Sequence, residues 1–329
     1  MILTVSSLGE RALIDRITAR LATPPWVVVG PGDDAAVIEP ERGALDVLTT
    51  DALVEGIHFD RAFVPDAGIG HRALAVNLSD LAAMGARPRA ALLSLVLPET
   101  LAVAALDGIV DGLLALAGRH GVSVIGGNIT RSPGGLMIDV TATGAVGRRR
   151  FLRRSGARPG DEVYVTGTIG DAAAGLQMLR AGHKAAGGCV ERYLRPEPRV
   201  RAGWLLGANR AATSCVDLSD GLADGAWQLA RASAVGVAID AAAVPVSDAA
   251  RDWFGRTQDD AVRAAVSGGD DYELLFTVRP SLRGRLRGVR RLLGDLPITK
   301  IGVVTKDPAV TLGGAPMPGG YEHFGKTSG

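Results

Sequence analysis

The segment Asn77-Leu78-Ser79-Asp80-Leu81-Ala82-Ala83-Met84-Gly85-Ala86 is the part of the sequence from which the rest of the chain is best understood. Apolar residues recur in and before it at helical spacing, at Leu74, Leu78 and Leu81. This spacing predicts a helix that packs its leucines inward and carries Asn77 and Asp80 on another flank. A single acid on a helix is usually solvated. Asp80 is different because four other acidic clusters also lie among small residues beside apolar runs, and an array of carboxylates suits a divalent cation bound to phosphate oxygens.

Length and composition indicate a globular enzyme with more than one core. A chain of 329 residues is long for a single core, which predicts two domains. Hydrophobic residues make up 47% and charged residues 22% of the chain, as is typical of soluble globular proteins. Aromatic residues make up only 4%, so the core is expected to be aliphatic.

The charge balance and the cysteines exclude several classes of protein. The 36 Lys and Arg residues nearly balance the 35 Asp and Glu residues, which gives no electrostatic basis for binding nucleic acid or an anionic membrane. Cys189 and Cys215 form neither a paired metal motif nor a disulfide framework, so both are expected to be core residues in a reducing cytosol. We find no signal sequence and no apolar run of spanning length, and therefore expect a cytoplasmic protein.

Two acidic motifs precede the Asp80 helix. Gly30-Pro31-Gly32 predicts a turn that leads into Asp33-Asp34. Adjacent aspartates repel each other, and a nearby cation offsets this cost; an ordinary acidic turn is the alternative. Thr49-Thr50-Asp51 ends a predicted strand at 45–48 and offers hard oxygen ligands of the kind magnesium accepts. His58 is either a neutral donor to an anion or a satisfied, partly buried histidine.

A glycine pair and a basic run follow in the middle of the chain. Residues 122–125 predict a strand, followed by a Gly126-Gly127 turn whose bare backbone could approach a polyphosphate. The run from Arg148 to Arg154 is typical of a solvated face, although one of its arginines could clamp a phosphate. The pattern breaks at 155–161, which places a domain boundary near residue 150 and predicts domains 1–150 and 151–329.

The second half carries two further acidic motifs. Asp217-Leu218-Ser219-Asp220 repeats the Leu-Ser-Asp triplet, and its two carboxylates would reach one small volume if the turn between them is tight. Asp270-Asp271 follows a glycine pair at the mouth of a predicted strand. Asp171 begins a predicted helix, where an anion could bind the helix N-terminus, but we favour Asp171 as the helix cap.

These motifs together resemble those of the thiamine-monophosphate kinases of the PurM-like ATP-binding superfamily. The resemblance covers nearly the whole length. The motifs that carry it are Gly32–Ala35, Thr49–Asp51, Glu55–Phe59, Asn77–Ala86, Arg154–Ala157, Asp217–Leu222, Ser267–Leu274 and Gly320–Phe324. The sequence Glu55-Gly56-Ile57-His58-Phe59 and the tail Tyr321-Glu322-His323-Phe324 favour the kinase over related synthetases and maturation factors.

The resemblance implies a fold, a reaction and a set of roles. The fold would be α/β (α+β) and two-domain PurM-like, with an N-terminal mixed sheet and helices and a C-terminal α/β domain. The reaction would be phosphorylation of thiamine monophosphate by ATP, through Mg²⁺ and direct in-line transfer, in a homodimer built through the N-terminal sheets. Phosphoryl transfer depends on charge neutralisation and positioning, which agrees with many acids and few bases.

By the same resemblance the site residues take three roles. The implied metal ligands are Asp34, Thr49, Thr50, Asp51, Asp80, Asn128, Asp217 and Asp220. The residues implied to lie along ATP are Gly127, Asn128, Arg154 and Ser219, and those implied to face the substrate are His58, Asp270 and Tyr321. Asp80, Asp217 and Asp220 are expected to be the acids on which turnover depends. We expect the aspartates, distant in sequence, to gather around one pool of magnesium.

Two positions depart from the family pattern. Asn128 stands where the family usually has aspartate, so one expected metal carboxylate is a neutral amide that can still coordinate through its oxygen. Asp270 stands where glutamate is common, so its carboxylate is retracted by about one methylene. Two alternatives therefore remain open: another superfamily synthetase that uses ATP to activate an amide or carbonyl oxygen, or a catalytically weakened nucleotide-binding regulatory protein.

Overall fold

The structure is a computed structural model that describes residues 2–183, 188–257 and 260–320. The chain forms two compact units. One comprises Met1–Leu81 and Arg87–Arg148, and the other comprises Ala82–Ala86 and Arg149–Gly329. Across the described ranges, no helix combines the length and apolarity needed to cross a membrane.

The first unit combines a four-stranded sheet with two long helices. Its helices are α1 (Val5–Leu8), α2 (Glu10–Thr18), α3 (Asp66–Ala83, whose last two residues belong to the second unit) and α4 (Val103–His120). Its strands are β1 (Val27–Val29), β2 (Val37–Ile38), β3 (Ala44–Val54), β4 (Arg87–Pro98), β5 (Ser123–Ser132) and β6 (Met137–Gly147). The sheet has the order β3-β6-β4-β5, in which only β4 and β5 run parallel, and β1 pairs with β2 separately.

Side chains alternate between two faces of this sheet. The inner face, which contacts α3, carries Thr49, Asp51 and Leu53 from β3 together with the buried Leu93 and Val140. The outer face carries the alternate positions, among them Leu48, Thr50, Ser94, Asp139 and Thr141.

Helix α3 is buried along most of its length. Leu74, Leu78 and Leu81 are fully buried, so the inward packing predicted from their spacing is confirmed. The helix lies unusually close to α4, because a Cβ added to Gly70 would lie 1.7 Å from the Ile109 carbonyl oxygen. A Cβ added to Gly112 would lie 1.9 Å from the carbonyl oxygen of Ala67. The two helices therefore cross backbone to backbone at these glycines.

Two local predictions in the first unit were wrong. Thr49-Thr50-Asp51 does not end a strand, since β3 continues to Val54. Gly126-Gly127 is not a turn but lies inside β5, next to an irregularity in the pairing with β4. A Cβ on Gly127 would lie 1.9 Å from the Leu93 carbonyl oxygen, so glycine is required there by the neighbouring strand.

The second unit is built on a seven-stranded sheet. Its helices are α5 (Asp171–Arg180), α6 (Gly188–Leu194), α7 (Val200–Ala208), α8 (Leu222–Ser233), α9 (Asp248–Thr257), α10 (Ala261–Ser267) and α11 (Arg283–Leu293), with 3₁₀ turns at Ala241–Ala243 and Pro280–Leu282. Its strands are β7 (Glu162–Thr166), β8 (Ser214–Asp217), β9 (Gly236–Ile239), β10 (Leu274–Val278), β11 (Ile298–Thr305), β12 (Val310–Leu312) and β13 (Ala315–Pro316). The sheet order is β13-β12-β9-β11-β7-β10-β8, and the pairs are antiparallel except β12 with β9.

The cysteines belong to this second unit and are buried thiols. Cys189 and Cys215 are both free and buried, which confirms the prediction that they are core residues. Burial raises the pKa of Cys189 to about 11, because the thiolate would lie in apolar surroundings and beside Asp171. Burial also raises the pKa of Cys215, so neither thiol is an activated nucleophile.

Acid is expected to destabilise the second unit through Glu162. Hydrogen bonds from Arg283, Lys300 and Tyr164 lower the pKa of Glu162 from 4.5 to about 2. A carboxylate with a lowered pKa stabilises the fold above its unfolded pKa, and this contribution is lost as the pH falls from about 4.5 towards 2. In Glu162→Gln the urea midpoint should fall less steeply over this interval than in the parent chain. Glu99→Gln, which removes only an exposed pair with Arg131, should keep the parental slope.

Candidate functional site

The inner face of the first unit brings together three of the predicted metal residues. The Thr49 hydroxyl donates a hydrogen bond to Oδ2 of Asp80, which joins β3 directly to α3. Asp51 lies on the same face, two positions along β3, and is half-buried. Two carboxylates and a hydroxyl therefore lie in the layer between β3 and α3.

Thr50 faces the other way. Because side chains alternate along a strand, the Thr50 hydroxyl lies on the outer face, where it contacts Asp139 Oδ1 and Thr141 Oγ1, each at 3.1 Å. The Thr50 hydroxyl therefore cannot join Thr49 and Asp51 as a ligand of one cation.

A cavity of 890 Å³ lies over the outer face of the first unit. Its walls include the predicted residues Asp34, Gly127 and Asn128. Asn128 is paired with Ser94, and Ser94 with Asp139, so these three side chains form one row across the sheet. The Asp34 backbone N–H donates to Asp33 Oδ1 at 2.9 Å, which gives the acidic turn a defined shape.

The predicted metal ligands of the first unit are thus divided between the two faces. Asp34 and Asn128 line the outer cavity, whereas Thr49, Asp51 and Asp80 lie on the inner side. Within residues 2–183, 188–257 and 260–320, no three acidic, histidine or cysteine side chains lie close enough to hold a metal ion together. Their assignment as ligands of one magnesium pool therefore stays a prediction.

His58 lies in a turn that follows β3. Its Nδ1 accepts a hydrogen bond from the Val54 backbone N–H at 3.0 Å. A ring nitrogen that accepts carries no proton, so the neutral imidazole has its proton on Nε2. The ring is half-buried and satisfied at Nδ1, which agrees with the interpretation of His58 as a partly buried histidine. Its role as a donor to an anion stays a prediction.

The second unit brings the Asp217 motif and Asp270 together. The backbone N–H of Asp270 donates to the Ser219 carbonyl at 2.7 Å, and that of Tyr272 donates to the Leu218 carbonyl at 2.9 Å. Asp217 ends β8 and is buried, whereas Ser219 and Asp220 are half-buried in the loop that follows. The two loops are therefore held edge to edge by their backbones.

The Asp270 loop adopts a conformation that is uncommon for its residues. Asp270 has φ +69° and Tyr272 has φ +50°, and left-handed backbone in residues other than glycine is rare outside tightly determined sites. The Tyr272 hydroxyl donates to Asp270 Oδ1 at 3.1 Å. A Cβ on Gly269 would lie 2.6 Å from the Ser219 carbonyl oxygen, so the close approach of the loops requires glycine. Asp270 is thus held in a fixed position.

Asp171 is not the cap of α5, contrary to our prediction. Its carboxylate instead accepts hydrogen bonds from the hydroxyls of Thr168 and Ser247. The N-terminal amides of α5 are capped by Asp271, which accepts from Gly170 N at 2.7 Å and from Ala172 N at 3.3 Å. Burial raises the pKa of Asp271 well above its ordinary value, against the opposing effect of these amides.

Glu273 anchors the same segment from its other side. It is fully buried and accepts hydrogen bonds from the guanidinium groups of Arg192 and Arg199, with Arg199 Nε at 2.6 Å. The Thr166 hydroxyl donates to it at 2.6 Å. A buried carboxylate with two arginine partners fixes the strand that follows the Asp270 loop.

Two predicted residues contribute less to this geometry. Arg154 is exposed, and its backbone carbonyl accepts a hydrogen bond from the Ser233 hydroxyl. Tyr321 lies outside the described residues, and its role stays a prediction.

Sequence reasoning missed Asp139 and Ser94. Both lie within strands that read as apolar or alternating, and neither adjoins a glycine or another acid. Only the pairing of β4 with both β6 and β5 places them in the row with Asn128. Period-two alternation could have assigned Asp139 to the face opposite Val140 but could not have identified its neighbours.

Comparisons with known proteins identify the family of the chain. Family models described as AIR synthase related protein match the chain in two parts, the N-terminal domain over residues 32–146 and the C-terminal domain over residues 158–314. The thiamine-monophosphate kinase of Escherichia coli K12 is 42% identical, with 96% of this chain and 98% of the relative covered.

Solved structures give the same result. The thiamine-monophosphate kinase of Stenotrophomonas maltophilia K279a is 42% identical, with a TM-score of 0.83 over 96% of this chain and 98% of that one. AaThiL complexed with AMPPCP and TMP is 34% identical, with a TM-score of 0.77 over 98% of this chain and 99% of that one. The predicted α/β, two-domain PurM-like fold is confirmed. At up to 42% identity over nearly its whole length, the chain belongs to the thiamine-monophosphate kinase family of AIR synthase related proteins.

Proposed function

We propose that this protein is an enzyme that phosphorylates thiamine monophosphate with ATP. The observation that carries the proposal is its full-length likeness to a structure complexed with both AMPPCP and TMP. In the reaction an oxygen of the substrate phosphate bonds to the γ-phosphorus of ATP, and the bond from that phosphorus to the β,γ-bridging oxygen breaks. The products are thiamine diphosphate and ADP, and no group on the protein is phosphorylated.

The donor chemistry of the inner face fits Mg²⁺. Carboxylate and hydroxyl oxygens are the hard ligands that this ion prefers, and Thr49 and Asp80 already lie in contact. When bound, Mg²⁺ would neutralise charge on the phosphates. On the inner face of the first unit we assign Asp51, Asp80, the Thr49 hydroxyl and the Thr50 carbonyl to one Mg²⁺. Asp34 and Asn128, which line the outer cavity, are assigned to a separate Mg²⁺. In the second unit we assign Asp217 and Asp220 as Mg²⁺ ligands.

The remaining residues bind and orient the two substrates. We propose that residues 1–150 form the domain that binds ATP and magnesium and that residues 151–329 complete the enzyme. Gly127, Arg154 and Ser219 would lie along ATP. His58, through an Nε2 proton, would donate to an anionic oxygen of thiamine monophosphate, and Asp270 would meet the same substrate from its fixed loop. Tyr321 would stack on the cationic ring.

A coupled assay of ADP release with a panel of acceptors tests the proposal. We expect ADP formation that depends on thiamine monophosphate. The alternative synthetase predicts turnover with an amidine precursor and none with thiamine monophosphate, and that pair of results would remove the kinase assignment. Tight binding of Mg-ATP with no product over hours would instead favour a regulatory protein.

Asn128→Asp is expected to give equal or higher activity at low magnesium. The change restores the negative charge that this chain lacks and so strengthens attraction for a cation near the outer cavity. The measurement is the initial rate as a function of magnesium concentration, with Asn209→Asp, which adds the same charge at an exposed position of the second unit, as the control. A sharp loss of activity in Asn128→Asp would show that the amide serves another purpose.

We also propose a homodimer that forms through the outer face of the first unit's sheet. Leu48 is 69% exposed there, and Leu92 and Met137 are also exposed, which leaves apolar surface on three strands. Leu48→Asp should lower the molar mass measured by light scattering to that of one chain. Leu292→Asp, on exposed α11 surface, should leave the mass unchanged. Equal masses for both variants would contradict this interface.

A further inference from the structure

Asn77 has a buried oxygen without a partner. The residue lies in α3 with 0% of its surface exposed. Its Nδ2 donates to the Ala73 carbonyl at 3.1 Å. Its Oδ1 is buried and accepts no hydrogen bond from the part of the chain that the structure describes. Native proteins seldom leave a buried acceptor unsatisfied, and an ion or ordered water is a common explanation.

The orientation of this amide is fixed by its neighbour. A backbone carbonyl can only accept hydrogen bonds, so the nitrogen of the Asn77 side chain must face Ala73. Oδ1 is therefore on the side of the amide that faces away from the Ala73 carbonyl. An Asn77 rotated end for end would place its oxygen against the Ala73 carbonyl oxygen, which is unfavourable.

Asn77 lies level with the inner-face acids. Thr49 contacts Asp80 near the end of α3, and Arg72 Nη2 donates to the His58 carbonyl at 3.4 Å nearer its start. The chain from Thr49 onward therefore runs antiparallel to α3. Two strand residues advance about 6.6 Å, so Asp51 lies that far from Thr49 towards the start of the helix. Asn77 lies about 4.5 Å from Asp80 in the same direction, because each helical residue advances 1.5 Å.

Asn77 also shares a flank of α3 with Asp80. Residues three positions apart in a helix lie within about 60° of each other around its axis. Along the axis of α3, Asn77 therefore lies between the levels of Thr49 and Asp51. Around that axis, it lies beside Asp80. An unsatisfied amide oxygen in the same layer as two carboxylates and a hydroxyl supplies one more hard donor.

We infer that Oδ1 of Asn77 is an additional ligand of the divalent cation that Thr49, Asp51 and Asp80 hold, an inference that rests on the proposed function. The cation satisfies the acceptor that the protein leaves unpaired. The amide contributes an oxygen without a further negative charge, so it completes the ligand set without adding repulsion between Asp51 and Asp80.

Mn²⁺ binding to the full-length chain, followed by electron paramagnetic resonance with AMPPCP present, tests this inference. Asn77→Leu should weaken Mn²⁺ binding by about tenfold or more. The melting temperature of the metal-free protein should be unchanged or higher, because an unsatisfied buried oxygen has been replaced by an apolar group. Asn77→Asp, which keeps an oxygen in place, should bind Mn²⁺ at least as tightly as the parent chain.

Gln228→Leu is the matched control. Its Oε1 is also buried and accepts no hydrogen bond from the described residues, but Gln228 lies on α8 in the second unit. This variant should match Asn77→Leu in its effect on melting and bind Mn²⁺ like the parent chain. Parental Mn²⁺ affinity in Asn77→Leu, or an equal loss in Gln228→Leu, would overturn the inference. If Asn77→Leu does not fold, weaker binding by Asn77→Asp than by the parent would overturn it.

The wild-type ADP assay separates this inference from the proposed function. Mn²⁺ binding that depends on Asn77 in a protein that does not phosphorylate thiamine monophosphate would remove the function and leave the cation ligand in place. Normal turnover together with Mn²⁺ binding that does not depend on Asn77 would support the proposed function and overturn the assignment of Asn77 as a ligand.

Discussion

Gly112→Ala is expected to destabilise the protein by about 3 kcal/mol or more, at the upper end of the range for overpacked cores. The new Cβ would lie 1.9 Å from the Ala67 carbonyl oxygen and 2.7 Å from the Ala67 Cα. Both atoms belong to the backbone of α3, so no side-chain rotation relieves the overlap and the two helices must separate. Urea unfolding followed by circular dichroism measures the loss.

Gly118→Ala, on the same helix, provides the control. A Cβ at Gly118 would meet no atom within 4 Å, and this position is exposed. Alanine is favoured over glycine in a helix by up to about 1 kcal/mol, so this variant should be equally or more stable than the parent. Equal losses of stability in the two variants would mean that α4 tolerates no substitution of glycine. The close crossing of α3 and α4 would then not explain the loss in Gly112→Ala.

Asp80→Asn is expected to lower kcat by about 10²-fold or more, because a carboxylate is lost where charge on the phosphates must be neutralised. The amide keeps an oxygen that can accept from the Thr49 hydroxyl, so the fold should remain intact. Asp220→Asn should behave in the same way. The measurement is the rate of ADP release at saturating substrates over a range of magnesium concentrations.

Asp111→Asn controls for the loss of a negative charge from the first unit. Asp111 is an exposed acid on α4 that pairs with Arg20, and exposed pairs contribute little to stability. Its variant should keep the parental rate. Parental rates in Asp80→Asn at saturating magnesium would remove Asp80 from the metal site.

The sequence predicted best what depends on local periodicity. Leu74, Leu78 and Leu81 follow helical spacing, and all three are buried in α3. The edge-to-edge contact of the Asp217 and Asp270 loops was harder to predict, because it depends on backbone hydrogen bonds between segments far apart in the chain. The motifs singled out Asp217 and Asp270 separately, without indicating their contact or the unusual backbone of Asp270.

The failed predictions share a physical cause. Gly127 needs to be glycine because of the Leu93 carbonyl on another strand, and no local pattern reveals such an approach. Asp171 has the right position for a cap, but Asp271 occupies that role from a distant segment. Because β3 continues through the triplet, the side chain of Thr50 lies on the opposite face of the sheet from those of Thr49 and Asp51. A triplet at the end of a strand could instead have formed one cluster, and the sequence alone did not show that the strand continues.

The capping of α5 by Asp271 restricts where anions can bind. The start of a helix attracts negative charge because its first amides lack partners. In this protein the Gly170 and Ala172 amides already bind a carboxylate belonging to the chain itself. A triphosphate therefore cannot bind the N-terminal amides of α5. Its negative charge must be neutralised by cations and arginine side chains instead of by the dipole of that helix.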